Sequence, residues 1–347
     1  MAHSTAAATH AATQPQVTPE RIMQMAWGYA APLILEAAIR HRVFDVLDQG
    51  PQNIWEVQKA TGASARGLTA VMDALVGLNL LCRDEQGRFG LTPESELFLV
   101  STKPSFQGGL IKHCSEHLIP RWLHINEVVA TGKPVTPVNQ EASGGEFFHN
   151  FVLDIFPMSY PSAMALAKEM DYGPGGSPIR VLDLAAGSGV WGIAQAQSSP
   201  RVQVTAVDWP EVIPITKKTV AKFGLAERWS FVEGDLHDAD FGSGHHVATL
   251  GHILHSEGER RSRELLAKTF GVLANGGTIA IQEFLVNKER TGPVPSLFFA
   301  VNMLVNTQEG NTWSFEEIGA WLEEVGFTNV RSLPAPGPSP LILANKP

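Results

Sequence analysis

The stretch VLDLAAGSGVWGIAQA, residues 181–196, decides how the chain is read. An apolar run leads into a glycine-spaced turn, and helix-forming residues follow. Gly187, Gly189 and Gly192 spell G-x-G-x-x-G, and Asp208 falls 21 residues after Gly187. That is the pattern of a dinucleotide-binding βαβ unit with its ribose-binding acid, so a nicotinamide cofactor is the first expectation. Asp183 opposes it. A strand feeding a pyrophosphate turn is buried in the sheet, where an ionised carboxylate costs free energy. Read instead as D-x-A-x-G-x-G, with Asp183, Ala185, Gly187 and Gly189, the turn suits a ligand without a pyrophosphate whose cationic amine and ribose hydroxyls are answered by acids. S-Adenosylmethionine is such a ligand.

Outward from this turn, strand and helix signals alternate. IRVLDLAA is followed by a helix to about Gln197, then VQVTAVD, a helix through 211–223, WSFVEGD and HVATLGHIL. A helix near 257–273, GTIAIQEFL, a helix at 314–325 and the final strands FTNVRSL and LILANKP complete the series. This alternation predicts an α/β domain with a mostly parallel sheet covered by helices on both faces. The turn cluster GPGGSP at 173–178 marks its start.

Upstream, apolar residues at helical spacing between Pro19 and Leu47 (Ile22, Met25, Ala26, Tyr29, Leu33, Ala37) form a stripe wider than a solvated helix needs, which suits a second subunit. Residues 51–98 read helix, turn, helix and hairpin wing: the first helix ends at Gly62, Ser64 caps the second, and the hairpin turns at Gln86 and Gly87. A winged helix often reads DNA. Here residues 51–80 carry Lys59 and Arg66 against Glu56 and Asp73, which offers no basic patch to a phosphate backbone. Dimerisation is the expected role.

Residues 105–172 read as helical with breaks at Pro120, at 132–137 and at 144–145. Phe147, Phe148, Phe151, Phe156, Met158 and Tyr160 gather near their end, either as packing between domains or as the wall of an apolar pocket. The chain thus divides into a disordered tail at 1–18, a winged-helix domain at 19–104, a helical linker at 105–172 that contributes to an acceptor pocket, and the α/β domain at 173–347.

With 347 residues, 44% hydrophobic, the chain can bury full cores. Its net charge of -9 disfavours nucleic acid and anionic membrane as partners. Two cysteines, Cys82 and Cys114, build neither a disulfide framework nor a thiolate zinc site, and fit a reducing cytoplasm. The first 18 residues lack a basic n-region and an apolar h-region, and no run of about 18 apolar residues occurs.

Taken in order, these motifs make residues 178–347 resemble a class I S-adenosylmethionine-dependent methyltransferase. With the winged-helix start, residues 20–347 resemble the dimeric small-molecule O-methyltransferases of plants and bacteria. The resemblance implies a Rossmann-like sheet, a homodimer, S-adenosylmethionine as cofactor and a small, flat or apolar acceptor. It places Asp208 on the ribose hydroxyls and Asp235, with Leu236 beside it, at the adenine. His255 in GHILHSEGE falls on the family's catalytic histidine, and Glu283, 28 residues later, on the acid that orients it. Phe299, Asn302 and Met303, on the apolar segment SLFFAVNMLVNT, become acceptor contacts, with Met158 opposite and His252 as a further candidate. By default that segment is a buried helix. A lone amide such as Asn302 either caps locally or meets a polar ligand group.

The physics of the pair is simple. Methyl transfer from a sulfonium needs an aligned nucleophile, and alignment alone supplies ~7 to 11 kcal/mol in favourable cases. A phenol, with a pKa of about 10, becomes nucleophilic when an imidazole takes its proton and a carboxylate steadies the imidazolium. The chain departs from the family pattern at four places: Ser256 follows the histidine, Thr312 stands where a second flanking acid belongs, Gly251 replaces a Lys or Arg, and Ala185 replaces the first motif glycine. N-, C- or S-methylation by positioning alone, a non-methylating relative and a DNA-binding regulator remain as alternatives. His245, His246, His252 and His255 show no carboxylate-histidine set of clear spacing, so no metal is expected.

Overall fold

A computed structural model describes residues 17–138, 148, 151–337 and 339–347. The tail at 1–16, Phe147 and the break at 144–145 lie outside the described residues.

The N-terminal half is helical. Helices Glu20–Ala26, Ala30–Arg40 and Val43–Leu47 are followed by Ile54–Thr61 and Ala65–Gly77, then by a hairpin of β1 (Leu81–Arg83) and β2 (Phe89–Leu91). Punctuation residues set these boundaries. Asn53 and Glu56 close a capping box, Gly62 ends Ile54–Thr61 in the left-handed region, and the Ser64 hydroxyl accepts from the Gly67 amide at 3.1 Å. Phe44, Val57, Met72, Leu75 and Phe89 form one core beneath them. Ile22, Met23, Met25, Trp27 and Tyr29 remain exposed on the first helices. Within the stretch Pro19 to Leu47 whose apolar residues recur at helical spacing, Glu20–Arg40 is long and apolar enough to cross a membrane, yet it includes Glu20, Arg21, Glu36 and Arg40.

Pro120, expected to break the chain, does not. It lies at the start of Ile119–Trp122, directly after the π-helical turn Cys114–Leu118, whose wider winding relieves the amide that proline lacks. Gly132 does end Ile125–Thr131, again with a left-handed backbone. A longer helix, Phe156–Met170, then lies on the α/β domain.

That domain holds a seven-stranded sheet made of β3 (Ile179–Leu184), β4 (Val202–Asp208), β5 (Trp229–Glu233), β6 (His245–Gly251), β7 (Leu273–Gln282), β8 (Thr328–Leu333) and β9 (Leu341–Asn345), in the order β5-β4-β3-β6-β7-β9-β8. The first five run parallel; β9 is antiparallel to β7 and to β8. The order reverses between β3 and β6, and a crevice at the carboxyl ends beside such a reversal is where open α/β sheets bind ligands. Register does the rest. Asp183 pairs with Ala206 and Thr249, Leu184 with Leu250, and Gly251 with Gln282, so the ends of β3, β4, β6 and β7 form one continuous edge.

Candidate active site

The edge is built strand by strand. After β3, Ala185, Gly187 and Gly189 all take positive φ angles of 51°, 55° and 80°, and the helix Val190–Ser198 starts at once. Asp183 lies behind this turn and has no solvent exposure. One of its oxygens accepts from the Gly192 amide at 2.9 Å, the other from the Thr249 hydroxyl at 2.7 Å, and burial pushes its carboxyl up to about 7. Both oxygens are thereby engaged within the protein. Gly192 is required by packing: a Cβ there would sit 2.7 Å from the Trp229 ring and 2.8 Å from Val204. The third glycine of the apparent dinucleotide fingerprint thus fits helix to sheet.

Asp208, at the end of β4, accepts from the Gly187 amide and from its neighbour Trp209, each at 2.7 Å, and burial raises its carboxyl to about 6. Asp235, after β5, takes the His237 amide at 2.9 Å and pairs with Arg261 at 3.2 Å. Burial alone would raise Asp235; the His237 amide and the Arg261 guanidinium outweigh it and hold the carboxyl below its ordinary value. Arg261 also bonds Glu257 at 2.7 Å, and His237 meets the same Glu257 oxygen at 3.1 Å. Leu236 is buried in the sheet core and presents only its carbonyl to Lys268.

At the end of β6 the backbone turns sharply. His252 has φ of 62° and its amide donates to the Gln282 carbonyl at 2.8 Å. His255 opens the next helix, Leu254–Val272, and its Nδ1 lies 2.7 Å from Glu283 Oε2 while its amide donates to Glu283 Oε1 at 3.2 Å. Glu283 is 1% exposed. Burial would raise its carboxyl, but the His255 charge and hydrogen bonds, helped by His252, hold it below the ordinary range. Phe299 stands edge-on to the His255 ring at 4.9 Å, and Phe284 stacks on Phe299 at 3.9 Å. An imidazole, a carboxylate that orients it and two phenyl rings therefore share one corner.

The segment after helix Val294–Asn306 closes this corner. Asn311 donates from its amide to the His255 carbonyl at 2.8 Å, and Trp313 donates to the Leu254 carbonyl at 3.2 Å. Thr312 is buried between them with an unpartnered hydroxyl. Asn302 Oδ1 accepts from Trp122 Nε1 at 2.9 Å and from Asn306 Nδ2 at 3.0 Å, which fixes the amide and leaves its Nδ2 undonated among the described residues. Met303 is buried, and Met158 sits at the start of Phe156–Met170 with no ring or polar contact to this corner. Helix Val294–Asn306, expected to be buried, buries Ser296, Met303, Val305 and Asn306 while Phe298 is 64% exposed.

His252, His255 and Glu283 each offer one donor atom, and the three atoms lie within 4.8 Å of one another. Sequence spacing missed the set because its carboxylate comes from the next strand.

Comparison with known proteins agrees with this geometry. Residues 177–328 match the O-methyltransferase domain family, and residues 23–101 match the O-methyltransferase dimerisation domain. The chain belongs to the O-methyltransferase family. A 3-hydroxy-5-methyl-1-naphthoate 3-O-methyltransferase of Streptomyces sahachiroi is 28% identical over 319 residues, 91% of each chain. The tetracenomycin polyketide synthesis 8-O-methyltransferase of Streptomyces glaucescens is 27% identical, covering 95% of this chain and 97% of its own. In fold, the chain is similar to a Nostoc punctiforme protein (TM-score 0.86, 24% identity, 95% and 100% covered) and to human N-acetylserotonin methyltransferase in complex with its cofactor (0.81, 24%, 96% and 99%).

This O-methyltransferase uses S-adenosylmethionine, and the sheet edge fits that molecule. Carboxylates stand at the ends of β4 and β5, the turn after β3 has the left-handed backbone that lets a ligand approach closely, and no lysine or arginine among the described residues bonds to it. When bound, the cofactor supplies an electrophilic methyl group on a cationic sulfur.

Proposed function

We propose that the chain is a homodimeric enzyme that methylates a hydroxyl of a small aromatic acceptor, with His255 as general base. Asp208 and Asp235 hold the ribose and adenine, Asp183 braces the turn from behind, and Phe299, Phe284 and the free Nδ2 of Asn302 hold the acceptor. The observation that carries the reading is the 2.7 Å bond between His255 Nδ1 and the enclosed Glu283. It fixes the ring so that Nε2 faces away from the carboxylate with a lone pair available, and it places a negative charge where the imidazolium forms. The phenyl rings beside it suit a flat apolar acceptor. Relatives that act on a naphthoate and a tetracenomycin intermediate support an aromatic substrate.

Incubation with methyl-labelled S-adenosylmethionine and a panel of phenols, amines and thiols, followed by mass analysis, tests this reading. We expect label on a phenolic oxygen. Label found on nitrogen, carbon or sulfur instead would overturn it.

A further inference from the structure

The catalytic corner contains more donor chemistry than a proton transfer uses. Among the described residues both ring nitrogens of His252 are shielded from solvent without a hydrogen-bond partner, and Gln282 Oε1 is also unpaired. A neutral imidazole keeps a lone pair on one ring nitrogen, and no group in hydrogen-bond geometry engages it here. An unpaired buried imidazole is costly, and native interiors seldom leave one without a role. Its ring faces Phe284 at 5.0 Å and the His255 ring at 6.4 Å.

Neighbouring atoms supply what that lone pair lacks. One donor atom each from His252, His255 and Glu283 lies within 4.8 Å of the others. Zinc binds imidazole nitrogen and carboxylate oxygen at about 2.0–2.2 Å, which places ligand atoms roughly 3.4 Å apart. The widest separation must therefore close by up to about 1.4 Å, through side-chain rotation at His255, whose side chain is 12% exposed. Two nitrogens and one oxygen select zinc, cobalt or nickel over magnesium and calcium, which require six or more oxygens.

We propose that His252, His255 and Glu283 form a divalent transition-metal site whose occupation shuts off methyl transfer. The inhibitory part rests on His255 being the base, as proposed above. Coordination through Nδ1, the nitrogen that faces Glu283, breaks the bond that orients the ring and withdraws the carboxylate that steadies the imidazolium, so the ring no longer serves as the base. No electron transfer is involved. The metal displaces at most one proton from the pair.

Calorimetric titration of the full chain with zinc, and with cobalt as an optical probe, tests the site. Wild type should bind one ion more tightly than His252→Phe by at least tenfold, with a visible cobalt band that the variant lacks. His124→Gln, on an exposed helix, should bind like wild type, and magnesium should give no heat. Zinc should inhibit wild-type methyl transfer, EDTA should restore it, and the inhibitory concentration should rise at least tenfold in the variant. His252→Asn provides the same comparison if the phenylalanine variant does not fold. Zinc affinity unchanged in the His252 variants, or no binding by wild type, overturns the proposal. Binding that depends on His252 in an enzyme that methylates no hydroxyl would leave the site standing and remove the proposed base chemistry.

Discussion

At the residue scale, Asp183 shows a carboxylate before the glycine turn with both oxygens bonded inside the protein. Its position before the glycine turn was legible because an acid in a buried strand demands a reason. The reason, the Gly192 amide and the Thr249 hydroxyl 66 residues away, was not, because it depends on the register between β3 and β6. The same carboxyl carries a pH signature. Burial raises it from an unfolded value near 3.9 to about 7 in the folded protein, so the folded state holds the proton more tightly. Its contribution to stability is complete below about pH 4 and declines as pH rises toward 7, by up to about 4 kcal/mol. Asn at this position does not titrate. Melting curves of the cofactor-free protein should therefore show Asp183→Asn gaining on wild type between pH 5 and pH 8, and a difference that stays constant with pH would contradict the assignment. Of the remaining site, His255 and Glu283 were legible from a local motif and an ungapped interval. The partners of Asn302 and the orphaned state of His252 and Thr312 were not, since each arises from contacts between distant segments.

At the element scale, the strands were read closely because the parallel sheet is buried on both faces and shows as short apolar runs between turns. Helix ends were legible where a cap is written in the residues, as at Ser64, Gly62 and the Ser314 capping box of Phe315–Val325. Pro120 misled because a π-helical turn absorbed it, a local rewinding that no residue type announces. Gly258 is another hidden feature: φ of 74° and ψ of 169° kink the helix Leu254–Val272 just after His255, and a Cβ there would lie 2.7 Å from Glu309. The kink lets the Glu309–Thr312 segment close over the base. Gly258→Ala should cost about 2 kcal/mol or more in urea unfolding, since that backbone region is nearly closed to other residues. Gly271→Ala, in the same helix with open space around it, should stabilise by roughly 0.4–1 kcal/mol. Equal effects at the two positions would contradict the kink's role.

At the scale of the whole molecule, a helical N-terminal part followed by an α/β domain was legible from the change of hydrophobic period. The exposed Met25, Trp27 and Tyr29 lie on the segment matched to the dimerisation domain, with Ile22 just before it, so a partner copy is their proposed cover. Within the α/β domain, what assembles the site is register. Gly251 opposite Gln282 brings a histidine from the β6 loop against the acid that ends β7, at the same edge as the glycine turn and Asp208. Neither strand alone holds the pair.

The most direct measurement of that arrangement is the rate of methyl transfer to a phenolic acceptor at saturating cofactor by wild type, His255→Ala and Glu283→Gln. We expect kcat to fall roughly 100-fold or more in the alanine variant, with cofactor affinity kept, and to fall by a smaller factor in the glutamine variant. An alanine variant that turns over within a few-fold of wild type would show that the proton leaves by another route, and the assigned base would be wrong.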